Sequence, residues 1–108
     1  MMSLPQQRMQ QWQNILQMTE QLQQLSAEEN WEALTELESE RMTRIKDFFS
    51  TPVLEVEAAV IAEGIQDILK SDQLLLQAGQ NSQQALANSV QKISTGRQAI
   101  KAYSHFQK

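Results

Sequence analysis

Apolar residues recur along this chain at intervals of three and four, with glutamine and glutamate filling the gaps, and no segment alternates strictly as a half-buried strand does. The pattern predicts an all-α protein. In a first helix over about 5–25, Met9, Trp12, Ile15, Leu16, Met18, Leu22 and Leu25 form a stripe wide enough for two neighbours, and Pro5 suits its first turn. Asn30 before Trp31 reads as the cap of a second helix over 31–49, preferred to a capping box of Ser26 and Glu29. Its apolar positions are Leu34, Leu37, Met42, Ile45, Phe48 and Phe49, and Pro52 disfavours helical geometry at Thr51. A third helix over 54–94 carries Ile61, Ile65, Ile68, Leu69, Leu75, Leu76, Leu86, Val90 and Ile93. After Gly96 a short fourth helix, 97–106, brings Ile100, Tyr103 and Phe106 onto one narrow face.

A helix of about forty residues extends roughly 60 Å, about twice the reach of either helix before it. The second half of the third helix, with Leu86, Val90 and Ile93, is thus left partly uncovered, and the Ile100-Tyr103-Phe106 face is the nearest partner. The expected architecture is an elongated antiparallel three-helix bundle with a long third helix and a short C-terminal fourth helix, one domain over 1–108. On the third helix, Ile65, Leu69 and Leu76 share a face offset from that of Ile61, Ile68 and Leu75. If the second face packs inward, the first is left for the tail or a client, although each residue taken singly reads more simply as core.

Charge sharpens this picture. The net charge is −4, with every acid between Glu20 and Asp72, whereas from Gln73 onward the only charges are Lys92, Arg97, Lys101 and Lys108. A basic end can settle on an acidic middle, and an acidic body argues against direct nucleic-acid binding. Gln73 to Gln91 holds no charge, but its Gln, Asn and Ser content rules out membrane insertion. The opening residues lack a basic region followed by an apolar core, so nothing reads as a signal peptide and a cytoplasmic location is expected.

Candidate chemistry is sparse. His105 has no second histidine and no cysteine to join it, and reads as a solvated tail residue. Glu36, Glu38 and Glu40 lie beside Arg41 and Arg44, a pattern read as an ion-paired solvent face rather than a carboxylate dyad. Gly64, Gly79 and Gly96 build no phosphate loop. No enzyme, cofactor or metal is expected, which leaves protein recognition. Trp12 and Trp31 read as core residues at the starts of their helices. Phe48 and Phe49, being adjacent, cannot share one helix face, so one of them caps the bundle end or meets a partner.

Four motifs in order carry a family resemblance: Trp12 in the first helix; Asn30-Trp31-Glu32-Ala33-Leu34 followed by Leu37-Glu38-Ser39-Glu40-Arg41; Ile68-Leu69-Lys70-Ser71-Asp72-Gln73-Leu74-Leu75; and Gly96-Arg97-Gln98-Ala99-Ile100-Lys101-Ala102-Tyr103. Together the chain resembles the FliT family of flagellar export chaperones. The resemblance implies a cytoplasmic type III export chaperone that holds the filament-cap protein, FliD, unassembled and delivers it to the export gate and its ATPase. It places the client face at positions like Ile65, Leu69 and Leu76, which we extend to Leu86 and Val90. It also implies a last helix that folds back over the client surface, with the family's alanine-tyrosine pair at Ala102 and Tyr103. The regulatory tail is then Arg97, Ile100, Lys101, Tyr103 and Phe106. Some relatives bind and inhibit the transcription activator FlhDC, so a regulator is the second reading. A helical structural protein that self-associates, as a homodimer through the third helix, is the third.

Overall fold

The computed structural model describes residues 3–95, with side chains through residue 88. The expected fourth helix over 97–106 and the tail residues Arg97, Ile100, Lys101, Tyr103 and Phe106 lie outside the described residues, and so does the Val90 side chain. The described chain is helical, in the order α1 (Leu4–Ala27), α2 (Trp31–Phe48), a 3-10 turn (Glu55–Glu57) and α3 (Ala58–Thr95), with no strand among the described residues.

Local chemistry sets the boundaries. Ser3 caps α1 by accepting from the Gln6 N–H at 3.4 Å while the Gln6 side chain accepts from the Ser3 N–H at 3.0 Å, so the helix begins one residue before Pro5. α1 runs on to Ala27, two residues past the expected end, which leaves Ser26 buried inside it with no part in capping α2. Glu29 then takes a left-handed φ of 56°, and the Asn30 N–H reaches back to the Leu25 carbonyl at 2.9 Å. Asn30 caps α2 as expected, accepting from the Ala33 N–H at 3.3 Å. α3 starts at Ala58 rather than 54, because the Glu57 carboxylate turns back to accept from the Leu54 N–H at 2.9 Å and holds residues 55–57 in a 3-10 turn.

Packing divides the chain after Leu75. In the first unit α1 and α2 run antiparallel, since Arg8 and Trp12 meet Phe48 while Thr19 meets Arg41. α3 runs parallel to α1, as Arg8 pairs with Glu57 and Gln23 with Ser71. Trp12, Ile15, Phe48, Ile61 and Ile68 form the core, with Leu16 and Ile45 packed against it. Each such side chain contributes about 1.5–3 kcal/mol when fully buried. Trp31 is only half-buried and stays outside this cluster, contrary to the expectation for it. In the second unit α3 continues through Thr95, with Leu76 and Leu86 exposed.

Phe48 and Phe49, although about 100° apart around the helix, both reach Trp12. Their rings lie 5.1 Å and 5.8 Å from that of Trp12. Phe49 is the C-cap of α2, its N–H still bonded to the Ile45 carbonyl at 3.0 Å, and its ring meets Trp12 edge-on.

Candidate functional site

Two polar clasps and one close approach hold the first part of α3 against the α1–α2 hairpin. Arg8 donates from Nε to Glu57 Oε1 at 2.8 Å and from Nη1 to the Phe48 carbonyl and Thr51 Oγ1, with its guanidinium 4.1 Å above the Phe48 ring. Both charges are almost fully buried. Burial pushes the Glu57 carboxyl up, but the Leu54 N–H and the hydrogen bond and charge of Arg8 together outweigh it, holding the group below its ordinary value of 4.5. At the other end Arg41 donates to Thr19 Oγ1 at 3.1 Å and to Asp72 Oδ1 at 2.9 Å. Nearby, Gln23 Nε2 donates to the Ser71 carbonyl and hydroxyl. Between the clasps, Gly64 lets α3 come so near Trp12 that a Cβ there would lie 2.5 Å from the indole nitrogen.

These contacts orient the helix faces. Gly64 and Ser71 mark the side of α3 toward α1, and Asp72 marks the side toward α2. At about 100° per residue, Ile65 and Leu69 fall about 20° and 60° beyond Asp72, away from α1. Both are exposed, Leu69 by 56%. Ile61 and Ile68 are buried and Leu75 is half-buried. The two offset faces therefore separate as the spacing predicts, and the simpler reading of Ile65 and Leu69 as core is overturned.

A matching flank exists on α2. Leu37, Glu40, Arg44 and Asp47 line shallow grooves against α1, so the opposite flank, carrying Ile45, Glu38, Phe49 and Met42, turns toward α3. Met42 and Phe49 are exposed there and Ile45 is half-buried. The open side between α2 and α3 thus presents Met42 and Phe49 from one helix and Ile65 and Leu69 from the other. Local spacing places Met42 and Phe49 among the apolar stripe positions and singles out one of Phe48 and Phe49 to cap the bundle end or meet a partner, but gives Met42 no place on the open side; the signal was their offset from Leu34, Arg41 and Phe48, which the structure buries. It also misplaced Arg41 on a solvent face. Only Arg44 and Glu40 form the expected surface pair, at 3.3 Å, while Arg41 is buried.

Of the other expected site residues, Leu76 and Leu86 are exposed on the later part of α3. Among the described residues there is no cluster of His, Cys, Asp or Glu able to hold a metal ion, and no helix is long and apolar enough to cross a membrane. The family model for the flagellar protein FliT matches residues 9–105. This chain belongs to the FliT family. The match covers both helix flanks of the groove and most of the segment after α3, in agreement with the resemblance carried by the motifs. No curated protein and no solved structure matches the chain. FliT membership makes this a flagellar protein, and the described bundle leaves Met42, Phe49, Ile65 and Leu69 exposed.

Proposed function

We propose that this FliT-family chain is a cytoplasmic flagellar export chaperone, acting as one domain, whose groove between α2 and α3 receives an amphipathic helix of the filament-cap protein and delivers it to the export gate and its ATPase. The observation that carries this reading is the pair of exposed apolar flanks, Met42 with Phe49 and Ile65 with Leu69, beside a core that is already closed by Trp12, Phe48 and Ile61. Such an edge suits a helix-in-groove contact. We also assign Leu76, Leu86 and Val90 to partner binding, as apolar residues of the second unit. The tail, through Arg97, Ile100, Lys101, Tyr103 and Phe106, competes with the client until it is displaced.

The energetics favour an exchangeable contact. Each groove side chain is already partly covered, so a client recovers only a fraction of the roughly 1.5–3 kcal/mol of full burial per residue, less the cost of ordering the incoming helix. A chain ending at Ile93 tests the gate: it should stay folded and bind the C-terminal segment of the cap protein more tightly than the full chain, by calorimetric titration. Equal or weaker binding refutes the gating role.

A further inference from the structure

We infer that the occupant of the α2–α3 groove is a cationic amphipathic helix, selected by Asp72 and Glu38 at one end of the groove. The inference rests on the groove reading above and adds to it the chemistry of the partner. Because α2 and α3 run antiparallel with Arg41 level with Asp72, Ile45 lies near the level of Ile68, Phe49 near that of Ile65, and Glu38 near that of Leu75. The groove therefore changes character along its length. Phe49, Ile65, Ile45 and Leu69 make one end apolar, and Asp72 and Glu38 make the other acidic.

The acidic end is open to an incoming cation. Asp72 is 42% exposed in its side chain and, among the described residues, uses only Oδ1, accepting from Arg41. The Arg41 side chain is 5% exposed and also bonded to Thr19, so it offsets part of the Asp72 charge from beneath without itself meeting an occupant. Glu38 is exposed and forms no ion pair among the described residues. The cations nearest in sequence point elsewhere. Arg44 pairs with Glu40 on the flank toward α1, Lys70 falls about 160° from Asp72 around α3, and Lys46 lies about two turns from Glu38 toward the apolar end. A partner helix with apolar residues at i, i+3 or i+4 and i+7, followed by lysine or arginine one turn on, meets apolar and acidic surface in that order. One with glutamate there meets two carboxylates and is disfavoured.

Two helical peptides of identical leucine stripe, one with lysines and one with glutamates a turn beyond it, test this by fluorescence anisotropy on the full chain. The lysine peptide should bind about 5-fold more tightly at low salt, and the preference should shrink toward parity at high salt. Asp72→Asn, which keeps an acceptor for Arg41, and Glu38→Gln, at an exposed position, should each reduce the preference. Equal affinities, or a preference that survives both substitutions, overturn the inference and leave the groove reading standing. Undiminished binding of the lysine peptide to a Leu69→Ser chain places the contact outside the groove and overturns both.

Discussion

Trp12 and Gly64 set how closely α3 approaches α1. An alanine at 64 would put its Cβ within 2.8 Å of three indole atoms on a ring with no exposure, and a buried ring cannot step aside as a flexible side-chain end can. Overpacking of this kind costs about 1–3 kcal/mol against the roughly 1 kcal/mol that alanine gains in a helix, so Gly64→Ala should lower stability by about 1 kcal/mol in urea unfolding. Gly79→Ala, with nothing within 4 Å, should instead raise helicity. Glu57 gives a pH signature. Its carboxyl titrates lower in the folded chain than the ordinary 4.5, so between the two values the unfolded chain binds more protons and stability rises with pH. That contribution is complete above about 4.5 and is lost as pH falls through the depressed value, so Glu57→Gln should flatten the acid limb of a stability-against-pH curve. Neither clasp was legible from sequence, because burying Arg8 or Arg41 depends on a partner 49 or 31 residues away. Local charge spacing reads such residues as solvated.

At the scale of elements, periodicity and caps carried most of the fold. The three-and-four spacing gave α1 and α2 to within two residues, and Asn30 marked its own cap. The start of α3 was missed, since the 3-10 turn at Glu55–Glu57 follows from the inward turn of Glu57 and not from propensity. The offset between Ile61 with Ile68 and Ile65 with Leu69 was legible as angle alone. Which flank turns toward α2 was not, because that needs the placement of α1, and Met42 therefore escaped notice as a groove residue. Its exposure makes a prediction for α2. Met42→Ser should change stability by no more than about 0.5 kcal/mol yet weaken client binding several-fold, as unfolding and titration of the same variant will show.

For the whole molecule, the acids end at Asp72 and every later charge is basic, so one polypeptide carries both an acidic groove end and a basic segment of the kind that groove should attract. FliT membership ties this arrangement to the flagellum. If clients bind between α2 and α3, α3 supplies its own control. Leu69 and Leu74 are almost equally exposed, at 56% and 53%, but Leu74 falls about 160° from Asp72, on the flank away from α2. Titration of the cap protein's C-terminal segment into Leu69→Ser and Leu74→Ser chains separates the two flanks. Leu69→Ser should lose about 10-fold or more in affinity while Leu74→Ser stays near native; equal losses, or a loss confined to Leu74→Ser, would contradict binding in the α2–α3 groove.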